Sequence, residues 1–419
     1  MAILGTKMLP DKPRIIDYVE KVRLRACDLR PGMFVCELDR PWLDTPFLLQ
    51  GFEVENDTDI EAVMQYCEYV YIDLMRTKVV RVTIDELPGS FTNERKRTFN
   101  EKDMEAAKST RKHTSKLIKS FIEEIRFGQS LDIQLAKSAV SDCVVNLIKN
   151  PEAMMFVTRM RNKDETLNQH AFNVCVYSIV LGRLLNYDST QLEHIGICGL
   201  LHDMGKVNIP DRILNKPGPL TDEETAIIQT HAKEGRDILM SGRDIFSGTV
   251  DVAYGHHENL DGTGYPRGLL GHQMNLNCKI VTIVDKYEAI VSPKPYRPAG
   301  DHLSAVAILN QLARDNKIDK SLTAAFVSYL GIYPPGSIVE LSSGEVGIVL
   351  ESNSNQRLRP QILVVRDANK APTQLFVDMS EKTVDEKGRP YRIVTVRRPG
   401  DFGIDLNQYY DVILQVFNN

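Results

Sequence analysis

The chain has 419 residues, 42% of them apolar and 26% charged, with a formal net charge of −5. That length allows two or three domains, the composition excludes a disordered or fibrous chain, and the mild acidity excludes a surface that attracts DNA along its whole extent. A phosphate-bearing ligand would have to be held by a local cluster of cations or metals. The seven cysteines (Cys27, Cys36, Cys67, Cys143, Cys175, Cys198 and Cys278) are odd in number and show no C-x-x-C pair, as expected of thiols in a reducing cytoplasm. Residues 1–13 lack the apolar stretch of a signal peptide, and the longest apolar run, 174–181, is too short to span a bilayer. The expected location is the cytoplasm, with no membrane segment.

In chain order, residues 20–85 carry short β-branched runs broken by Arg30-Pro31-Gly32, Asp44-Thr45-Pro46 and Glu55-Asn56-Asp57. They read as a small α+β domain, with a helix over 59–67 and a strand over 69–73. Residues 86–100 are polar and read as a linker, closing a first region of 1–100. From 101 to 332 the apolar spacing turns helical, first over 102–127 and 131–149. Thr190 to Glu193 and Thr221 to Glu224 fit capping boxes, each starting a helix that delivers a histidine. Gly128 and Gly331 are stop signals. Beyond 333, strands are expected over 337–341, 347–350, 361–366 and 391–396. Gly344, Asn353, Asn369 and Gly388 lie between them as turn residues. The expected fold class is therefore α+β: an all-helical bundle flanked by an N-terminal α+β domain and a C-terminal β-unit that caps the bundle.

Nine histidines are present. His113, His194, His272 and His302 have no acidic or histidine companion in a motif and read as surface or core imidazoles. The others stand in distinctive settings. His170 opens an apolar helix, and His202-Asp203 closes another and precedes Met204-Gly205-Lys206. His231 lies on the helix capped at Thr221. His256-His257-Glu258 precedes Asp261-Gly262-Thr263-Gly264-Tyr265-Pro266, and Asp285 ends the apolar segment 280–284. Side chains on facing helices can build a metal site inside one bundle. Imidazoles and carboxylates without thiolates suit Fe, Mn, Zn, Co or Ni. An aspartate has two oxygens and can touch two cations, and water held between them ionises readily for in-line attack on phosphorus. Lys206, one turn beyond Asp203, could meet a phosphate oxygen. Gly262 and Gly264 permit close backbone approach, and Pro266 stiffens the exit. The Tyr265 ring suits both base stacking and core burial.

The segments 202–206 and 256–269 resemble the two signatures of the HD-GYP family, a branch of the HD phosphohydrolase superfamily, and the likeness runs from about 140 to 333. Leu29 to Met33 and Trp42 to Phe47 resemble a domain of unknown function that often precedes HD-GYP domains. The resemblance implies cyclic di-GMP hydrolysis to the linear dinucleotide or GMP, with two divalent ions, iron or manganese first. By motif position, His170, His202, Asp203 and Asp285 would hold one metal. Asp203, His231, His256 and His257 would hold the other, and Lys206 would contact the scissile phosphate. Gly264, Tyr265, Lys294, Tyr296 and Arg297 would face the substrate. A third metal would need a glutamate where this chain has Thr166, with Glu165 one place off. The family's usual Asp285-equivalent run, Val-Tyr-Asp-Ala-Leu, is replaced by Lys286-Tyr287-Glu288-Ala289-Ile290, and Lys294 stands for a substrate-contacting arginine, losing the bidentate fork. The alternatives are a phosphodiesterase for the mixed cyclic GMP-AMP, a sensory module that binds without turnover, or another HD phosphohydrolase. A homodimer, or a signalling partner at the N-terminal domain, is a further expectation.

Overall fold

The computed structural model describes residues 21–29, 31–40, 52–54, 56–73, 101–160, 166–242, 244–293, 297–353 and 356–418. The chain divides into two units, Met1–Glu94 and Arg95–Asn419. In the first unit the β-branched runs form β1 (Lys21–Arg25), β2 (Phe34–Leu38), β3 (Phe52–Glu53) and β4 (Tyr69–Asp73). They make an antiparallel sheet in the order β1-β4-β2-β3, with Val22 and Val35 flanking Ile72. Helix α1 (Asp57–Tyr66) begins two residues before its expected start, because Asn56 caps it. The Asn56 side chain accepts the Asp59 N–H at 3.2 Å, and the Asp59 carboxylate accepts the Asn56 N–H at 3.3 Å. Val35, Val54, Val63 and Val70 are fully buried between α1 and the sheet. The expected turn at 44–46 and linker at 86–100 lie outside the described residues.

The second unit opens with α2 (Glu101–Arg126), whose buried positions Met104, Ala107, Thr114, Ile118 and Phe121 follow three- and four-residue spacing. Next come α3 (Ile133–Lys149), α4 (Pro151–Arg159), α5 (Thr166–Leu184) and α6 (Ser189–Leu201). Residues 169–182 of α5 are all buried, so this helix has no polar face and forms the middle of the bundle. Its contact with α6 is close: a Cβ on Gly199 would stand 2.9 Å from the Val174 carbonyl oxygen. The cap of α6 corrects the expectation at Thr190. Asp188 and Gln191 form the box, at 2.8 and 3.0 Å, which leaves Thr190 inside the first turn. An aspartate caps at least as well as a threonine, and the helix starts two residues earlier than expected.

A short α7 (Asp211–Leu214) leads to α8 (Asp222–Ser241), where the expected box of Thr221 and Glu224 is formed. Then follow α9 (Ser247–Gly255), α10 (Leu276–Val291), α11 (His302–Arg314) and α12 (Lys320–Leu330), with Gly331 ending α12 at a φ of +69°. The C-terminal segment forms β5 (Ile338–Leu341), β6 (Val346–Glu351), β7 (Gln361–Arg366), β8 (Pro372–Asp378) and β9 (Ile393–Arg397), an antiparallel sheet in the order β8-β7-β6-β5-β9. Side-chain alternation buries both faces. Ile338, Ile348, Leu363 and Val365 join the helical core, while Val339, Val349, Ile362 and Val364 pack a smaller one with Tyr391. Strand β8 escaped the sequence reading because it is an edge strand that starts on proline and exposes most of its residues. Helix α13 (Tyr410–Asn418) also escaped it. Lys108 of α2 covers the Tyr410 ring at 3.8 Å, and Ile413 is buried in the main core.

Candidate metal centre

Five helices deliver the five histidine and aspartate segments to one place. His170 lies on α5, His202 ends α6, His231 lies on α8, His256 follows α9, and Asp285 lies on α10. Asp203 leaves the helical conformation (φ −105°, ψ 11°), and a short 3-10 turn, Met204–Asn208, then carries Lys206 back across it. This turn sits hard against α8. A Cβ on Gly205 would stand 2.0 Å from the His231 carbonyl oxygen, so the glycine of the His-Asp-Met-Gly-Lys run is a packing requirement.

The donors form two groups whose ligand atoms each lie within 4.8 Å of one another: His170, His202 and Asp285; and Asp203, His231, His256 and His257. Asp203 faces both. Its Oδ2 is 3.3 Å from Nε2 of His170 and 3.3 Å from Nε2 of His202. Its Oδ1 is 3.4 Å from Nε2 of His231 and 3.6 Å from Nε2 of His256. Asp285 also reaches both ways, with Oδ1 3.2 Å from His170 Nε2 and Oδ2 3.9 Å from His257 Nδ1. Donors held about 2.1 Å from a common ion stand roughly 3.0–3.4 Å apart, and most of these separations fall there or just beyond.

The second nitrogen of each ring shows why the cluster demands a cation. Nδ1 of His202 donates to the Gly199 carbonyl at 2.8 Å, Nδ1 of His231 to Ile228 at 2.6 Å, and Nδ1 of His256 to Val252 at 3.0 Å. Nδ1 of His170 donates to the Glu288 carboxylate. The Nε2 atoms of these four rings then face inward, where a proton or a cation must meet them. His231 and His256 bring their Nε2 atoms within 3.3 Å of one another, beside an Asp203 Oδ1 that is buried with no hydrogen-bond partner. Lone pairs crowded together in this way repel unless positive charge sits among them. The residues therefore fit divalent metal ions.

Electrostatics divides the cluster. Burial opposes charge on His170, but the Glu288, Asp203 and Asp285 carboxylates overrule it and raise the ring to about 10. Burial holds His231 down at about 4 and His257 well below its usual range. Burial also opposes ionisation of Asp203, yet Lys206 and His202 hold its carboxyl well below the usual range. Asp285 is lowered likewise, against its burial, by His170 and His202. Lys206 is ion-paired to Asp203 Oδ2 and about four-fifths buried, so its ammonium points at the shared carboxylate.

The Gly-Tyr-Pro loop is built around a buried acid. Glu258 is fully enclosed and accepts the N–H groups of Arg267 at 2.8 Å and Leu269 at 2.9 Å. Gly264 packs on its backbone, where a Cβ would come within 2.4 Å of the Glu258 Cα. The Tyr265 ring stacks on His257 at 4.7 Å and 27°. Asp261 folds onto Thr263 at 2.6 Å and takes no part in the metal cluster.

All seven expected metal ligands thus come together, with Lys206 beside them. Gly264 and Tyr265 flank the His257 side. Lys294 and Tyr296 lie outside the described residues. Arg297 is exposed and donates to the Ala289 carbonyl at 2.8 Å, so its guanidinium ties down the end of α10. Of the four histidines set aside, His302 is a satisfied core residue between the Tyr287 hydroxyl and the Gly331 carbonyl, each at 2.9 Å. His194 stacks on Phe246, and His113 lies exposed 3.9 Å from Asp142. The residue that sequence reasoning missed is Glu288. It is fully buried and orients His170, and it is itself held by the Asn173 side chain at 3.2 Å and by the Ser292 hydroxyl. Its position where the family usually has aspartate was the available signal.

Comparison with known proteins agrees with this geometry. The HD domain signature matches residues 155–322, and the domain of unknown function DUF3391 matches residues 21–136. A cyclic di-GMP phosphodiesterase of Pseudomonas aeruginosa is 32% identical over 373 residues, covering 85% of this chain and 88% of that protein. The 3′3′-cGAMP-specific phosphodiesterase 3 of Vibrio cholerae is 34% identical over 165 residues, 39% of this chain and 35% of the relative. The cyclic di-GMP phosphodiesterase response regulator RpfG of Xanthomonas campestris is 37% identical over 127 residues, 30% of this chain and 33% of the relative. Among the described residues no helix is long and apolar enough to cross a membrane. The chain belongs to the HD-GYP family of the HD phosphohydrolase superfamily, in its form with a DUF3391 domain ahead of the HD domain.

Proposed function

We propose that this protein hydrolyses a phosphodiester bond of a cyclic dinucleotide, cyclic di-GMP first, to the linear dinucleotide or on to GMP. The observation that carries the reading is Asp203, whose two oxygens face two separate donor groups. His170, His202 and Asp285 would hold one divalent ion with Asp203 Oδ2, and His231, His256 and His257 the other with Oδ1. Iron or manganese leads, with zinc, nickel or cobalt also compatible with the donors. Bound ions of this kind neutralise phosphate charge and acidify water.

The chain's own groups do the positioning. Lys206 brings an ammonium to the mouth of the cluster, where a non-bridging phosphate oxygen would exchange for part of its contact with Asp203. Glu288 and the backbone carbonyls take the outer N–H of His170, His202, His231 and His256, which turns their inner nitrogens toward the place where a cation would sit. Tyr265 and Gly264, with Lys294, Tyr296 and Arg297, are the residues assigned to the substrate. The 3′3′-cGAMP-specific relative supports a second reading, in which the mixed cyclic dinucleotide is the substrate. The DUF3391 region is assigned to signal reception, through a partner protein or a second copy.

The test is turnover of cyclic di-GMP and 3′3′-cGAMP by manganese- or iron-loaded protein, with linear product measured by chromatography. Cleavage of cyclic di-GMP, lost in Asp203→Ala, is the expected result. A preference for the mixed dinucleotide would select the second reading. An Asp203→Ala protein as active as the wild type would overturn both.

A further inference from the structure

A cleft of about 340 Å³ opens where α4, α5 and the end of α10 meet the C-terminal segment. Sites for small molecules begin at about this size. The cleft lies behind the metal cluster. Asn173 and Ser292, which line it, are the residues that hold Glu288, and Glu288 in turn holds the outer nitrogen of His170. Much of the remaining wall is apolar, including Ile338, Ile404 and Leu406.

Among the described lining residues Arg159 is the single cation. Its Nη2 donates to the Tyr287 hydroxyl at 2.8 Å, and its Nε is buried without a partner. No carboxylate among the described residues forms an ion pair with it. Asp405, in the same wall, is exposed to solvent, and its Oδ1 accepts the Asn407 N–H at 3.0 Å and the Asn407 side-chain amide at 2.9 Å. A guanidinium has five N–H donors and keeps its charge at any physiological pH. Partly burying one with no carboxylate paired to it is costly, and the arrangement makes sense if the counter-ion arrives with a ligand. Nothing in the hydrolytic reading uses this cation, which is not among the residues of the cluster.

We propose that this cleft is a second ligand site, separate from the metal centre, for a small organic anion. Its carboxylate or phosphate would pair with Arg159, and a compact apolar body would pack on Ile338, Ile404 and Leu406. The test titrates benzoate and phenyl phosphate, which share one apolar body, into the full-length metal-loaded protein by calorimetry. Saturable binding of at least one is expected, and the stronger of the two identifies the acid group. Arg159→Met should weaken that binding by tenfold or more. Ala299→Phe, which fills the cleft from a buried wall position, should do the same, and it decides the matter if Arg159→Met fails to fold. The proposal is overturned if neither probe binds with a Kd below about 10 mM. It is equally overturned if binding survives Ala299→Phe, since that outcome places the probe outside the cleft.

Discussion

The two halves of the metal cluster are built from the same residue types and differ in almost everything else. The half around His170, His202 and Asp285 is buried, takes its ligands from α5, α6 and α10, and is backed by a third carboxylate, Glu288. Its imidazole is pulled up to about 10 by that surplus of negative charge. The half around His231, His256 and His257 leans on backbone carbonyls, and burial keeps His231 at about 4. It also has an open edge, where His257 is about one-fifth exposed beneath Tyr265. One half is thus an anionic socket for a tightly held ion. The other is a set of three imidazoles beside the loop that would meet substrate. On the proposed two-ion reading, the ion of the anionic half would anchor and the other would work at the mouth.

Asp203 belongs to both halves, so its loss should erase the difference. Asp203→Ala is expected to lower turnover by at least a thousandfold, roughly 4 kcal/mol of barrier, with metal content falling at both sites. Chelation of the wild type should be asymmetric: metal analysis during dialysis should show one equivalent leaving well before the other. Simultaneous loss would break the comparison.

Glu288→Gln acts on the anionic half alone. It keeps the size of the side chain but removes the charge that draws on His170 Nδ1. Metal affinity at that half should fall by about 10- to 100-fold. Glu288→Asp, the residue more usual in the family, should recover part of the loss, which a merely structural role for the side chain would not predict. An equilibrium metal titration of the two variants separates these outcomes.

The open half answers to smaller changes. Tyr265→Ala removes the ring stacked on His257 and should cost about 1 kcal/mol, a factor of about five to ten in kcat/KM. Tyr265→Phe keeps the stack and should remain within about threefold of wild type. If the phenylalanine variant is as impaired as the alanine, the hydroxyl is the working part of Tyr265, and stacking is not its role.

The seven residues that gather in the cluster were legible because His202-Asp203 and His256-His257 stand in short motifs and the resemblance pointed to His170, His231 and Asp285 on their helices. What the sequence could not display is orientation. Glu288 reaches His170 across 118 positions and Asn173 across 115, and no local spacing announces such contacts. The glycines show the same limit from the other side. Gly264 was expected to allow close backbone approach and packs on Glu258, whereas nothing near Gly205 in the sequence announces its packing on α8. Helix positions were readable from apolar spacing, while starts were less so: Asp188 and Thr190 both offer a cap, and local chemistry alone does not choose between overlapping boxes. Strand β8 shows the converse, since an exposed edge strand lacks the alternation by which strands are found. Arg297, assigned to substrate by resemblance, lies beyond α10 and donates back to the Ala289 carbonyl near the end of that helix, a contact that no local spacing announces.

The account rests on a shared aspartate. The most direct measurement is anomalous diffraction from crystals of the manganese-loaded protein. It should show two metal peaks about 3.5–4 Å apart, one at each oxygen of Asp203. A single peak, or two peaks of which neither touches Asp203, would contradict it.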